Sequence, residues 1–466
     1  MEKPEFVTLR CEVFTDDSGA YTEIPAILTD FGWFMPLVDY CLSRSHDRSV
    51  NWMTKVNRSL RLFLDYLVAN PHQRDSYKLF QNFAQRLYTG TFNRKTGFDP
   101  SWLCWRPLSA TEARKTIGHL TDFFDWLNRE RGANTVINPC YAGSAYDRLV
   151  DEAAYQFRRD RALLGHTWRA HLDSGDPDQP DPPTMAHLVR PRRPPKVEKS
   201  NPPAFPDERF MDLLMEGFVV GGQPNYRDML ITLLLHGAGF RHSEPFHLFV
   251  TDVLLDPSNP KAARVHIHHP ADGAGPMDPA WLDERSKPIK GNRTAYLAQR
   301  FGLAPRHLLL GTKKAGWKNP VLDDGSYMRA YWFIPKFSEL FLTLWYRYME
   351  QVARFDRAHP YAWINISQGK LGGMYCMSQY SQAHARACER IGLMVGKELG
   401  TTPHGHRHAY GRRLVAGEFG AEMIRKFMHH HSLDSQRVYT TPTPRQILDA
   451  LAEGAERLSQ KYRRDM

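Results

Sequence analysis

Between residues 173 and 206 lie ten of the chain's 32 prolines. Proline lacks an amide donor and locks φ, so a tract this dense is expected to form neither helix nor sheet. It divides the 466 residues into two folding regions, a division that a chain of this length calls for in any case. The first half of the tract is acidic, and its second half carries Arg190, Arg192, Arg193, Lys196 and Lys199. A solvated spacer and a basic tether lying along phosphates both fit that pattern.

Residues 1–48 read as an N-terminal extension, with a strand over 6–14, a turn at 16–19 and an aromatic-rich helix over 31–42. From 49 to 172 the apolar residues recur at three and four (Trp52, Val56, Leu60, Phe63, Leu64, Leu67), the mark of amphipathic helices. Further helices are expected over 77–88, from a Ser109 cap with Glu112 three residues on, and over 155–164. After the linker (173–205), residues 206–466 mix helix and strand. Helices are expected over 210–218, 226–236, 337–348, 378–391 (capped by Ser378) and 443–459, where Ile447, Leu451 and Leu458 are spaced like a heptad. Alternation over 263–268 marks a strand, with 308–310 and 327–333 expected to complete a small sheet. Residues 271–305, rich in Gly, Pro and charge, read as an insertion. The fold class is mainly α with a small antiparallel sheet: a helical domain followed by an α+β domain.

A net charge of +10 favours a polyanionic partner. Cys11, Cys41, Cys104, Cys140, Cys376 and Cys388 are scattered without a CxxC pair, so free thiols in a reducing cytoplasm are expected. The charged N-terminus lacks the apolar stretch of a secretory signal. The apolar run Met229–Leu235 is too short to span a bilayer.

The chemistry concentrates between Pro403 and Tyr439. In a helix opening at Pro403, His404 and Arg407 share a face, and His408 follows at once. His430 closes a second apolar-periodic run (Met423, Ile424, Phe427, Met428), and Tyr439 stands nine residues beyond it. Upstream, Gly239, Arg241, Ser243, Glu244, Leu248 and Asp252 form a second string. Taken singly, these residues have plain readings. A tyrosine ending an apolar run is ordinarily a core residue, and an arginine after Gly-x-Gly is ordinarily on the surface. Together they form an electropositive, proton-handling set suited to a phosphodiester.

Both strings resemble the motif boxes of the tyrosine recombinase (phage integrase) family. One box has a glycine turn, Arg, Ser-Glu, Leu and Asp; the other has His-x-x-Arg, a His, and a nucleophilic Tyr nine residues later. The resemblance implies a helical core-binding domain that grips DNA and an α+β catalytic domain. It implies a homo-tetramer on double-stranded DNA, assisted by accessory proteins of the same mobile element. Neither metal nor ATP is needed. Arg241 and Arg407 would straddle the scissile phosphate, Tyr439 would attack it, and His404 and His430 would assist. Glu244 and Asp252 would orient Arg241 and cap the fold, and His408 would support the site. The family's β-hairpin lysine, which protonates the leaving oxygen, falls among Lys313, Lys314 and Lys318, with position after a strand and Gly-Thr favouring Lys313. The terminal helix would dock on a neighbouring protomer. The long N-terminal region and insertion suit an integrase of a bacterial mobile element.

This chain departs from the family pattern at His429, where Gly is usual, and at His406, where Leu is usual; for His406 an outward-facing polar side chain is expected. The histidine clusters (His266, His268 and His269; His404, His406 and His408; His429 to His431) lack the spacing of a zinc hydrolase. Two alternatives remain open: a type IB topoisomerase-like enzyme, with the same chemistry within one duplex, and an inactive DNA-binding relative.

Overall fold

The computed structural model describes residues 6–19, 21–132, 137–142, 185–195, 202–323, 325–367 and 369–432, and then 435, 439, 441, 447–448 and 451–456. Two compact units divide the chain, Met1–Lys196 and Val197–Met466. Helices dominate both, with small antiparallel sheets.

In the first unit, β1 (Val7–Phe14) pairs antiparallel with β2 (Tyr21–Thr29) across the expected turn. Then β3 (Gly32–Trp33) pairs back onto β2, so the aromatic-rich helix α1 (Met35–Ser43) starts later than its sequence suggests. Three helices follow: α2 (Val50–Ala69), α3 (Ser76–Thr89) and α4 (Ala110–Arg131). Caps match the sequence, since Ser109 Oγ accepts from the Glu112 amide at 3.2 Å. One apolar cluster joins Ile24 and Ile27 of the sheet to Leu37, Phe63, Phe83 and Phe123 of the helices. The expected helix over 155–164 lies outside the described residues.

The proline tract does contain sheet. Strand β4 (Cys140–Ala142) pairs antiparallel with β5 (Met185–His187), inside the segment expected to have neither helix nor strand. The prolines flank these three residues and do not interrupt them. Buried Asn138 locks the pairing: its amide accepts from the Val189 N–H at 2.9 Å and donates to the Val189 carbonyl at 3.2 Å. Arg190 and Arg193 are exposed, while exposed Arg192 lies 4.6 Å over the Tyr88 ring. Lys196 and Lys199 lie outside the described residues.

The second unit opens with helical turns over 207–217 and a hairpin, β6 (Val219–Val220) and β7 (Gln223–Pro224). Helix α5 (Tyr226–Gly237) is buried on nearly every side, as its unbroken apolar run requires. Strands β8 (Val253–Asp256), β9 (Asn259–His268) and β10 (Tyr327–Arg329) form one antiparallel sheet in the order β10-β9-β8. Leu230 and Leu234 of α5 share one apolar cluster with Val265 and Ile267 of β9 and Met328 of β10. Residues 308–310 do not join that sheet. The 271–305 segment, read as an insertion, holds α6 (Arg293–Phe301). Helices α7 (Pro335–Val352), α8 (Met377–Arg390), α9 (Pro403–Ala416) and α10 (Ala421–Phe427) complete the unit. The N-cap of α8 is Cys376 and not Ser378, with the Gln379 side chain accepting from the Cys376 amide at 2.9 Å.

Asp252 does not orient Arg241. It forms a buried, two-pronged pair with Arg293 of α6 at 2.5 and 3.0 Å, and also accepts from the Phe249 amide at 2.7 Å. Removing one partner strands a charge in a dry interior. We therefore expect Asp252→Ala to lower unfolding stability by about 3–5 kcal/mol, read by urea denaturation. A loss within error of zero would count against this bridge as a fold element.

Candidate active site

After α5 the chain turns through Gly239 at φ +70°, where an added Cβ would lie 2.2 Å from the Tyr410 ring. Only glycine fits there. The turn presents Arg241, whose amide and guanidinium each donate to Glu244 at 2.7 Å. Glu244 is itself buried, so it holds Arg241 in one orientation and leaves the far side of the guanidinium available.

Helix α9 starts at Pro403, whose missing N–H costs nothing in a first turn. Arg407 is 3% exposed and donates to the Gly239 carbonyl and, at 2.7 Å, to the Met428 carbonyl. It thus ties α9 both to the Arg241 turn and to the end of α10. Burial and neighbouring Arg241 lower the Arg407 pKa, a strain that a bound anion would relieve. One turn along α9 lies Gly411, where a Cβ would sit 2.8 Å from the ring of Tyr439. That glycine makes room for the tyrosine.

Tyr439 reaches the same pocket. Its hydroxyl lies 3.0 Å from His408 Nδ1, and its ring stacks over His430 at 6.3 Å with the planes 9° apart. Burial raises the phenol pKa, while Arg407 and Arg241 pull it back. His404 packs edge-on against His408 at 4.4 Å. Although its ring stays exposed, partial desolvation and the charges of Arg407, Lys318, Arg241 and Lys397 push its pKa to about 4. Burial, then His404 and Arg407, push His408 to about 4. Burial, then Arg407 and Arg241, push His430 to about 3, and its Nδ1 has no partner among the described residues. The three rings are therefore neutral at pH 7.

The structure thus gathers Arg241, Glu244, His404, Arg407, His408, His430 and Tyr439. It does not bring in Lys313, an exposed residue in a loop and not on a hairpin, whose carbonyl accepts from Arg306 at 2.8 Å. Lys314 is partly buried, and its charge reaches His307. Among the three candidate lysines, Lys318 is the one whose charge acts on His404. Buried Arg306 anchors this loop by also donating to the Phe246 and Tyr375 carbonyls at 3.1 and 3.0 Å. Sequence reasoning missed Lys397 and His242, which sit close enough to His404 to interact with it. His242 was findable beside Arg241; nothing in the sequence marks Lys397.

The histidine clusters separate in space. His266 stacks on Tyr327 at 4.0 Å. His429 takes φ +51°, which explains the glycine expected there, and is held at 3.2 and 3.0 Å from the Val321 and Arg329 carbonyls. His406 is 0% exposed and points into the core, contrary to its expected outward face. Helix α9 turns His404, Arg407 and His408 to the pocket, so the intervening residue faces the opposite side.

No protein-family model matches this chain, and no curated protein matches it. Among solved structures it is similar to the XerH site-specific recombinase bound to palindromic difH substrate, at 12% identity and a TM-score of 0.45, covering 89% of this chain and 83% of that one. It is also similar to the Tn1549 transposon integrase in complex with transposon right end DNA (14% identity, TM-score 0.45, 91% and 98% covered). A third is the XerA recombinase (12%, 0.30, 90% and 96%). At these identities and scores no residue role passes from them to this chain, whose roles rest on its own pocket. The solved structures that it resembles are site-specific recombinases and a transposon integrase.

Proposed function

We propose that this chain is a site-specific DNA recombinase that cuts and rejoins strands through a 3′-phosphotyrosyl link. One observation carries the reading: the Tyr439 hydroxyl meets His408 at 3.0 Å, within electrostatic reach of both Arg407 and Arg241, from remote points of the sequence. A phosphodiester resists attack because its anionic oxygens repel the nucleophile and its alkoxide leaves poorly. Two guanidiniums that stay charged at neutral pH offset the first difficulty. In this reading His408 accepts the phenolic proton as the Tyr439 oxygen bonds to phosphorus. The phosphate's negative charge raises the basicity of His408 by opposing that of Arg407. His404 and His430 donate to the non-bridging oxygens. The 5′-oxygen departs with a proton from Lys318, and a 5′-hydroxyl of another strand then reverses the steps, so the bond energy is kept.

The earlier domain boundaries belong to the same proposal: residues 49–172 grip DNA, 173–205 tether along it with Arg190, Arg192, Arg193, Lys196 and Lys199, and 206–466 cut it. Exposed Ile447, Leu448 and Leu451 suit docking of the terminal helix on another protomer in a tetramer. The test uses nicked duplexes carrying a site selected from a random pool by binding. Wild-type protein is expected to give a covalent protein–DNA band that survives denaturant. Absence of that band would leave an inactive DNA-binding relative. Sustained relaxation of a plasmid lacking paired sites, without recombinant product, would point to a topoisomerase.

A further inference from the structure

Behind the pocket lies a chain of buried histidines that the chemistry above does not use. His236 at the end of α5, His406 in the first turns of α9 and His384 in α8 are each at most 1% exposed. His236 Nδ1 meets His406 Nδ1 at 3.1 Å, and His406 Nε2 meets His384 Nε2 at 2.8 Å. At the outer end Arg413 Nη1 lies 2.8 Å from His236 Nε2 and bonds Asp207, while its Nη2 bonds the His236 carbonyl. At the inner end His384 Nδ1 faces the Cys388 thiol at 3.7 Å.

His236 Nε2 faces Asp207 Oδ1 at 3.3 Å and Arg413 Nη1 at 2.8 Å. A guanidinium only donates, so the nearer contact leaves no room for a hydrogen on Nε2 and assigns it the lone pair. The His236 proton then sits on Nδ1 and is donated to His406 Nδ1. His406 is left with its proton on Nε2, which it donates to His384 Nε2. His384 in turn points its Nδ1–H at sulfur. One set of tautomers thus satisfies all six ring nitrogens in one direction, and three neutral rings are required for it. Burial keeps them neutral, holding His236 at about 4 and His384 at about 3. A fully satisfied buried network fixes geometry more tightly than apolar contact does, because sliding either helix breaks its bonds.

The helices so joined carry the phosphate-binding pair. His236 immediately precedes the turn to Arg241, and His406 immediately precedes Arg407. The entry segment of the unit, 202–206, closes the network from outside. Phe205 stacks on His406 at 4.3 Å, its amide donates to the Gly405 carbonyl at 3.0 Å, and Arg412 donates to the Pro202 carbonyl at 2.8 Å.

We infer that His236, His384 and His406 are positioning residues, a hydrogen-bonded strut that sets Arg407 against Arg241, closed at its surface end by Asp207 and Arg413. This rests on the recombinase reading, and it predicts a defect in the chemical step and not in DNA binding. In full-length protein, His406→Leu leaves a donor on His236 and an acceptor on His384 unmatched. Its single-turnover adduct rate on the selected nicked duplex should fall at least tenfold, with the Kd for that duplex within twofold. His406→Gln, which restores a partner for His384, should recover part of the rate. Asp207→Asn, at the half-exposed end, should slow the adduct severalfold at unchanged Kd even if His406→Leu does not fold. Wild-type rates in both His406→Leu and Asp207→Asn, or in Asp207→Asn alone when the other does not fold, would overturn the strut. Equal losses in rate and binding would overturn it too, since they report general unfolding. If wild-type protein forms no adduct, the recombinase reading itself fails and takes the strut with it.

Discussion

Tyr439→Phe is expected to form no covalent adduct with a nicked duplex, yet to bind it as wild-type protein does. The substitution removes one oxygen and keeps the ring, so the stack over His430 and the fit against Gly411 persist. The pocket keeps both guanidiniums, because Arg241 is held by Glu244, and Arg407 keeps its two carbonyl partners even when its hydrogen bond to the Tyr439 hydroxyl is gone. Affinity for phosphate is therefore retained. What is lost is the atom proposed to attack, and loss of a nucleophile ordinarily costs on the order of 10⁴-fold or more in rate. Denaturing electrophoresis of trapped complexes reads the adduct, and filter binding reads the affinity. A Tyr439→Phe protein that still attaches to DNA would falsify the nucleophile assignment.

Mild acid is expected to destabilise the second unit. His236, His384 and His406 are buried, and burial lowers the pKa of all three from 6.5, to about 4 for His236 and about 3 for His384. Below pH 6.5 the unfolded chain therefore binds more protons than the folded one. Stability is fully present above that pH and is lost as pH falls from 6.5 toward 4. A ring held near 4 contributes about 2 kcal/mol of loss by pH 5, from the 1.36 kcal/mol that accompanies each unit of pKa difference. His236 and His384 alone then lower the melting temperature by about 10 °C between pH 7 and pH 5, at a few degrees per kcal/mol for a unit of this size, and His406, also lowered by burial, adds in the same direction. Protonation also puts two N–H groups face to face within the strut, so the loss is cooperative. Melting curves of the full chain across that range are the measurement. A melting temperature that stays flat down to pH 5 is incompatible with neutral buried rings.

Much of the local structure was legible in the sequence. Three-and-four spacing marks α2 to α4, Ser109 and Pro403 mark helix starts, and a helix beginning at Pro403 necessarily aligns His404, Arg407 and His408. These follow from backbone geometry within a few residues. The same local reasoning missed β5, because a count of prolines over the whole tract hid three residues free of them. It missed β2, the return strand of a local hairpin, and α6, whose place depends on a partner 41 residues away, Asp252.

By itself the sequence determined the helical character of the chain, the glycine turn before Arg241 and the spacing of its reactive groups, since each depends only on neighbours along the backbone. Only the tertiary structure decided that Tyr439 meets His408, that Asp252 serves Arg293 and not Arg241, that Lys318 comes within electrostatic reach of His404, and that His406 faces inward. Those outcomes depend on which buried donors and charges can satisfy one another once distant segments pack, and no local pattern encodes that pairing.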